Sequence, residues 1–159
     1  MSKSKTCVLI LENLRSVENT GSIFRTAEGL GVSKIILVGT TPTPIDRFGR
    51  KRTDFAKVSL GAEELVSWEV GKSVSSGIEE LKEQNFRIIA LEQHPNSINL
   101  KNFQTSKLKN FALIVGNEVG GVSRATLDIC DEIVEIPMQG QKESLNVSVS
   151  TGIALFVLT

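Results

Sequence analysis

Five short apolar runs constrain the fold of this chain more than any other feature of its sequence. Each run is continuous rather than alternating, which is typical of strands that are buried on both faces of a sheet. Strands of this kind belong to parallel sheets, whose crossover connections place helices on both faces. The sequence therefore predicts an α/β fold, with a mostly parallel sheet that has helices on both faces. The runs comprise residues 7–11, 34–38, 86–91, 111–115 and 133–136.

Helical patterns lie between these runs. In residues 73–84, Ile78 and Leu81 recur with helical spacing, while Glu and Lys side chains occupy the outward positions. Gly31 predicts the end of an earlier helix, because glycine readily adopts the conformation that follows many helices. Residues 40–56 have no such pattern and are interpreted as a long loop. The predicted helices comprise residues 20–30, 73–84, 124–129 and 145–157.

The composition argues against several classes of function. The 18 basic and 18 acidic residues give zero formal net charge, so a nucleic-acid partner would need a local basic patch. Seven Phe, one Trp and no Tyr argue against recognition through stacked bases. One His and two distant cysteines, Cys7 and Cys130, argue against a metal site and a disulfide framework.

The chain is also predicted to be one domain in a reducing compartment. No apolar run approaches membrane-spanning length. No linker, repeat or low-complexity segment divides the sequence, so we expect a single domain over residues 1–159. Both cysteines lie in or beside apolar runs, which is typical of buried reduced thiols. We therefore expect a cytoplasmic enzyme or binding domain without membrane or metal partners.

Residues 19–27 contain the pattern Asn19-x-Gly21-x-x-x-Arg25. Taken alone, Arg25 is interpreted as a solvent-exposed helix residue, because most arginines are exposed. The pattern also favours a functional interpretation. Gly21 permits a ligand to approach the backbone closely, and the planar guanidinium of Arg25 suits a phosphate.

Two further segments connect predicted strands to predicted helices. Residues 116–123 are rich in glycine, and alone they indicate a tight connection with unusual backbone dihedrals. They match neither the GxGxxG pattern nor the Lys-Ser/Thr ending of a nucleoside-triphosphate loop. Residues 136–148 leave a strand at Pro137 and enter a helix near Ser144 and Asn146, which are suited to capping it.

In this order and at these distances, the three segments resemble the motifs of the SpoU/TrmH branch of the SPOUT RNA methyltransferases. The resemblance covers residues 11–156 and depends on the ordered trio. It implies transfer of a methyl group from S-adenosyl-L-methionine to a ribose 2′-hydroxyl of RNA, a deep C-terminal trefoil knot and a homodimer. Residues 90–93 and the third segment look more like the branch that modifies tRNA, which favours tRNA over rRNA. We expect no added RNA-binding domain.

The resemblance assigns the catalytic site to five side chains. Arg25 would anchor a phosphate and stabilise the developing alkoxide. Whether it also acts as the base stays open, because a guanidinium remains protonated. Glu118 would orient Arg25, and Asn19 would hold Arg25 or the ribose by hydrogen bonds. Ser144 and Asn146 would orient the ribose, in addition to capping the last helix.

The resemblance also assigns the cofactor to the backbone of three loops. Relatives often carry Gly at the position of Val119, so this residue is expected to make its loop less free. Backbone recognition explains why no acidic ribose-binding residue stands out. The predicted cofactor-binding residues are Leu91, Gly116, Ile136, Met138 and Leu145.

A basic cluster and an apolar helix suggest the macromolecular partners. Arg47, Arg50, Lys51 and Arg52 form the dense basic cluster of this neutral chain, and we predict that they contact RNA phosphates. The apolar run at residues 153–158 predicts that the last helix packs against the sheet or a second subunit.

Two alternative functions remain open. The first is a non-catalytic RNA- or cofactor-binding module of the same fold. The presence of Arg25, Ser144 and Asn146 argues against it, because a module without activity would be free to lose them. The second is a dinucleotide-dependent oxidoreductase on an ordinary doubly wound sheet. The absence of GxGxxG after the first strand argues against this one.

Overall fold

The computed structural model describes residues 5–159, and within that range seven strands form one sheet with parallel pairing throughout. The strands are β1 (Cys7–Glu12), β2 (Lys34–Val38), β3 (Ser67–Val70), β4 (Arg87–Leu91), β5 (Ile98–Asn99), β6 (Phe111–Val115) and β7 (Glu132–Glu135). Their spatial order is β3-β2-β1-β6-β4-β7-β5. The predicted α/β architecture is therefore confirmed, with β6 and β1 at the centre of the sheet.

The predicted helices are also present. Those described are α1 (Val17–Gly29), α2 (Thr53–Ser59), α3 (Ala62–Leu65), α4 (Val74–Glu83), α5 (Arg124–Ile129) and α6 (Val147–Leu158). Helix α1 begins earlier than predicted because Ser16 caps it, with Ser16 Oγ accepting a hydrogen bond from Asn19 N at 3.0 Å. Gly31 follows the helix with φ 76°, as its interpretation as a stop residue requires.

Helices cover both faces of the sheet. Helices α1, α2, α3 and α6 pack on the face that contains Leu9 and Leu11, while α4 and α5 cover the face that contains Ile10. The two faces alternate along β1 because successive side chains of a strand point to opposite sides. On the first face, Phe24 of α1 and Phe55 of α2 meet edge to face with ring centroids 5.1 Å apart.

Four of these strands and α-helices were not predicted from the sequence. The interpretation of residues 40–56 as a loop is wrong for their last part, because α2 begins at Thr53. Helix α3 has only four residues, and β5 has two, so neither produces a periodic pattern. Strand β3 lies at the edge of the sheet with most of its side chains exposed, so it lacks the apolar run of a buried strand.

Cys7 and Cys130 are both free thiols. Burial raises the pKa of the Cys7 thiol to about 12. Burial, aided by the charge of Asp131, raises the pKa of the Cys130 thiol to about 12. Both thiols are therefore protonated near neutral pH and are poor nucleophiles.

Residues 5–159 contain no helix with the length and apolarity needed to span a bilayer. The same residues contain no group of three or more His, Cys, Asp or Glu side chains arranged to hold a metal ion. The C-terminal knot stays a prediction that depends on the family resemblance.

Candidate functional site

A cavity lies at the carboxyl ends of β4, β6 and β7, where the loops after these strands meet. This is the edge at which parallel α/β sheets generally bind ligands. Its lining includes Glu118 and Ser144 of the predicted catalytic set. It also includes all of the predicted cofactor-binding residues, namely Leu91, Gly116, Ile136, Met138 and Leu145. The structure thus brings together residues from four separate parts of the chain, although their role in cofactor binding stays a prediction.

The loop between β6 and α5 folds back on itself. Asn117 and Gly121 exchange two backbone hydrogen bonds, of 3.1 and 2.9 Å. The side-chain oxygen of Asn117 accepts from the backbone N–H groups of Val119 at 2.8 Å and Gly120 at 3.0 Å. A Cβ atom at Gly116 would lie 2.3 Å from the carbonyl carbon of Gly121. The loop therefore requires glycine at position 116, because two backbone segments touch there.

The loop accommodates Val119 at the position where relatives often carry glycine. The side chain of Val119 is 91% exposed, and it contributes nothing to the closure of the loop. Its backbone is not in the left-handed region, which in this loop is adopted by Gly121 with φ 70°. Val119 therefore causes no strain, and the expected loss of freedom at this position does not disturb the loop.

Two acidic residues that the sequence analysis did not identify hold this loop against the sheet. Glu92 Oε2 accepts a hydrogen bond from Val122 N at 2.9 Å. Glu12 is buried at the end of β1, where Oε1 accepts from Ser123 N at 2.6 Å and Oε2 accepts from the Thr126 hydroxyl. Each carboxylate satisfies backbone N–H groups where the chain enters α5. The sequence could have identified Glu12 as a functional residue, because it is a charged residue that directly continues an apolar strand.

A polar network connects the cavity to the starts of α1 and α6. Glu118 Oε1 accepts from Ser16 N at 3.1 Å and from Asn19 Nδ2 at 3.4 Å. Asn146 Nδ2 donates to Asn19 Oδ1 at 3.1 Å. Glu118 Oε2 also accepts from Arg15 N at 3.1 Å. Three of the predicted catalytic residues, Asn19, Glu118 and Asn146, are therefore joined by hydrogen bonds.

The hydrogen bonds at Glu118 also affect its charge. Partial desolvation raises the pKa of the Glu118 carboxyl, but the hydrogen bonds from its own backbone, from Ser16 and Arg15, and from Asn19 outweigh it. The net effect is a pKa below the ordinary value, so the group is anionic at neutral pH. Glu118 therefore acts here as a hydrogen-bond acceptor and not as a general acid.

Asn146 caps α6, as predicted. Its side-chain oxygen accepts from Ser148 N at 2.9 Å. The predicted capping role of Ser144 is wrong, because the helix begins at Val147 and Ser144 lies in the loop before the cap. Ser144 instead lines the cavity with an exposed side chain.

Arg25 lies apart from the other predicted catalytic residues. Asn19 and Arg25 are separated by six positions of α1, so they point about 120° apart around the helix. Arg25 is exposed and borders a depression with Lys57 and Leu60 that shares no residue with the cavity. The predicted orientation of Arg25 by Glu118 is therefore not found within one chain, where the acceptors of Glu118 are occupied by residues near the start of α1.

Gly21 lies against another helix and not beside the cavity, so the ligand approach suggested by the sequence is not its role here. A Cβ atom at Gly21 would lie 3.0 Å from Cβ of Val58 and 3.4 Å from the carbonyl oxygen of Phe55. Gly21 is buried at the contact between α1 and α2. Its small size therefore permits close helix packing rather than close approach of a ligand.

The predicted basic patch is largely neutralised by neighbouring acids. Arg50 Nε lies 3.0 Å from the carboxylate of Asp46. Arg52 lies 2.8 Å from the carboxylate of Asp54, and Lys51 pairs with Glu64 of α3. Of the four predicted RNA-binding residues, Arg47 is the one without a carboxylate partner among residues 5–159. A strongly basic surface is therefore not found at this loop.

Comparison with known proteins shows what this chain is similar to. A family model described as the SpoU rRNA Methylase family matches residues 6–156. The 23S rRNA (guanosine-2'-O-)-methyltransferase RlmB of Escherichia coli (strain K12) is 34% identical over 149 residues. The matched region covers 94% of this chain and 58% of RlmB, so the chain spans little more than half the length of that relative.

Two solved structures have the same architecture. An AdoMet-bound rRNA methyltransferase from Sinorhizobium meliloti has a TM-score of 0.87 at 25% identity, over 98% of this chain and 56% of that one. A TrmH/SpoU tRNA modifying enzyme from A. aeolicus has a TM-score of 0.83 at 28% identity, over 98% of this chain and 75% of that one. Because the family model matches all but a few terminal residues, the chain belongs to the SpoU rRNA methylase family.

Proposed function

We propose that this protein transfers a methyl group from S-adenosyl-L-methionine to a ribose 2′-hydroxyl of RNA. The observation that carries the proposal is the cavity at the carboxyl edge of the sheet, with the Asn19–Glu118–Asn146 network beside it. The proposal is supported by two of the relatives, a 23S rRNA (guanosine-2'-O-)-methyltransferase and an AdoMet-bound rRNA methyltransferase.

The residues of the cavity fit this cofactor. The loops at Leu91, Gly116 and Ile136 present backbone groups and apolar side chains to one space, as an adenosine and a methionine chain require. When bound, the cofactor supplies an electrophilic methyl group on a sulfonium. The protein contributes the positions of the groups around it, because the loop closure at Gly116 and the acids Glu12 and Glu92 hold the cavity wall in one conformation.

The chemistry of the acceptor requires loss of the hydroxyl proton and stabilisation of the resulting negative charge. Ser144 lines the cavity and Asn146 belongs to the polar network beside it, and both are assigned to orient the ribose. The guanidinium of Arg25 is assigned to a phosphate and to the developing alkoxide. Because Arg25 faces away from the cavity of its own chain, we assign it to the cavity of a second copy.

The class of RNA is the finer part of the proposal. The sequence favours tRNA, and the comparisons include both an rRNA enzyme and a tRNA modifying enzyme. They do not confirm the preference for tRNA. The experiment that tests the function therefore contains both substrates.

The activity is tested by incubating the purified chain and a labelled methyl donor with cellular tRNA and, separately, with cellular rRNA. We expect label in one RNA fraction, resistant to alkaline cleavage because a methylated 2′-oxygen cannot attack the neighbouring phosphate. Calorimetric titration should give binding of S-adenosyl-L-methionine and S-adenosylhomocysteine but not of NAD. Binding of RNA and cofactor without transfer to either fraction would support the non-catalytic module instead, and tight binding of NAD would support the oxidoreductase.

The exposed face of α6 supports a homodimer. Leu155 and Leu158 pack into the core, but the opposite face leaves Val149, Ile153 and Phe156 exposed. These side chains border a shallow apolar surface, together with Ser22 and Thr26 of α1. A contiguous apolar surface of this kind usually marks an interface. It also adjoins Arg25, which lies on the same part of α1.

Replacing Phe156 with glutamate is predicted to separate the dimer. Sedimentation of the unmodified chain should give twice the mass of the 17.3 kDa chain, while Phe156→Glu should sediment as a monomer and lose transfer activity. Leu65→Glu is a matched control, because Leu65 is 74% exposed and Phe156 is 75% exposed, yet Leu65 lies on α3. A monomeric unmodified chain that methylates RNA would contradict this part of the proposal.

A further inference from the structure

The turn at residues 45–51 is closed by hydrogen bonds within an otherwise irregular loop. Ile45 and Lys51 pair as an antiparallel bridge across its base. The carboxylate of Asp46 accepts from Phe48 N at 2.8 Å, from Arg50 N at 3.0 Å and from Arg50 Nε at 3.0 Å. These hydrogen bonds, from the backbone of Arg50 above all, outweigh desolvation and hold the pKa of Asp46 below its ordinary value. The turn is therefore held in one conformation without a partner.

The turn displays an aromatic ring to solvent. The side chain of Phe48 is 66% exposed, whereas Phe24, Phe55 and Phe111 are completely buried in the core. The guanidinium carbon of Arg47 lies 4.8 Å from the Phe48 ring centroid, and that of Arg50 lies 5.0 Å from it. Three flat groups, one aromatic and two guanidinium, are thus assembled at the tip of the turn.

The charges around this turn favour stacking over simple attraction to phosphate. Arg50, Lys51 and Arg52 each pair with a carboxylate, so they provide little net positive field. Unpaired bases of RNA stack on aromatic rings and on guanidinium planes, and this interaction depends on the flat faces of these groups. The low aromatic content argues against recognition through stacked bases in general, and Phe48 is the exposed aromatic ring on which a local exception depends.

The position of the turn is also suitable for contact with an RNA that is bound at the cavity. It follows β2 and leaves the sheet at the carboxyl edge, which is the edge that carries the cavity. Thr40 N donates to the side-chain oxygen of Asn13 at 3.2 Å, and Thr41 Oγ1 donates to Leu11 O at 3.0 Å. Asn13 O in turn accepts from Asn117 Nδ2 at 2.7 Å, so the loop after β2 is connected to the cavity wall.

We propose that Phe48, together with Arg47 and Arg50, stacks on an unpaired base of the RNA substrate outside the reacting nucleotide. The inference rests on the proposed function, since it identifies how the same RNA is held. The loop at residues 45–51 was predicted from its sequence to contact RNA phosphates. The inference gives it a second role, which is to select unpaired nucleotides.

The test uses the full chain and measures the affinity of each variant for a fluorescent single-stranded oligoribonucleotide and for the same strand made abasic. Phe48→Ala should bind the intact strand about tenfold more weakly and should lose its preference for the intact strand over the abasic one. Phe48→Trp should keep both. The salt dependence of binding should be unchanged in Phe48→Ala, because no charge is removed. Arg47→Ala should reduce its slope by about one, because it removes the one charge of the four basic residues that no carboxylate neutralises among residues 5–159.

Leu65→Ala is the matched control, because Leu65 is a similarly exposed apolar residue on α3. Cofactor affinity and thermal midpoint should be unchanged in Phe48→Ala, since the side chain has no part in the core. If the unmodified chain binds and methylates RNA but Phe48→Ala binds both strands as the unmodified chain does, the stacking inference is wrong while the proposed function stands. If the unmodified chain neither binds nor methylates RNA, the proposed function itself fails, and the stacking inference fails with it.

Discussion

Replacing Arg25 with alanine is expected to reduce methyl transfer by about a hundredfold or more, which is the usual cost of losing a group that stabilises developing charge. The affinity for S-adenosyl-L-methionine should be almost unchanged, because Arg25 is assigned to the ribose and the phosphate and is not among the predicted cofactor-binding residues. Arg25→Lys should also fail, since a point charge does not reproduce the planar fork of a guanidinium. Single-turnover methylation and calorimetric titration of the same preparations separate the two effects.

Arg124→Ala provides the control for removal of an exposed arginine. Arg124 is exposed at the start of α5, which covers the opposite face of the sheet, so this variant should retain activity. Near-normal turnover of Arg25→Ala would contradict the assignment and leave Arg25 as an ordinary solvent-exposed helix residue.

The location of Arg25 leads to a sharper form of this experiment. If Arg25 acts in the cavity of its partner, a dimer of one Arg25→Ala chain and one Gly116→Ala chain retains one complete site. That site combines the intact cavity of the first chain with the intact arginine of the second. Co-expression with two different affinity tags would isolate this mixed dimer. About half of the normal activity is expected, whereas catalysis within a single chain would leave both sites inactive.

Gly116→Ala should have the second large effect, which is loss of cofactor binding. The added Cβ would lie 2.3 Å from the carbonyl carbon of Gly121 and 2.4 Å from Val122 N. Both contacts are with backbone, so no side chain can rotate to relieve them. The loop must open, which breaks the pairing of Asn117 with Gly121 or the hydrogen bond from Val122 N to Glu92. Overpacking of this kind typically costs about 1–3 kcal/mol, so the thermal midpoint should also fall.

Gly120→Ala is the control within the same loop. A Cβ atom there would have Asn117 Oδ1 as its nearest neighbour, at 4.0 Å, and Gly120 is not in the left-handed region. It should therefore keep the loop closed and have the thermal midpoint of the unmodified chain. If calorimetry gives normal cofactor affinity for Gly116→Ala, the loop after β6 is not the wall of the cofactor site.

The core of the fold could be predicted because its determinants are local. The continuous apolar runs predict β1, β2, β4, β6 and β7 within about one residue at each end, since a strand buried on both faces is apolar along most of its length and its charged residues lie at the ends. The pattern of α4 likewise follows from the spacing of Ile78 and Leu81, which face the sheet. The edge strand β3 could not be found in this way, because most of its side chains are exposed and its pairing with β2 is its main constraint.

The sequence also indicated which loops form the cavity, through the resemblance of their motifs to the family, and each of these loops follows a strand that the sequence predicts. Only the tertiary structure decided how the polar residues are paired. Glu118 accepts from Arg15 N, a residue 103 positions away, and not from Arg25. The carboxylate of Glu12 accepts a hydrogen bond from Ser123 N, 111 positions away. Lys51 forms an ion pair with Glu64, which lies on a helix that was not predicted from the sequence. Hydrogen bonds and ion pairs depend on distances of about 3 Å, and such distances between remote residues arise only when the helices have packed on the sheet.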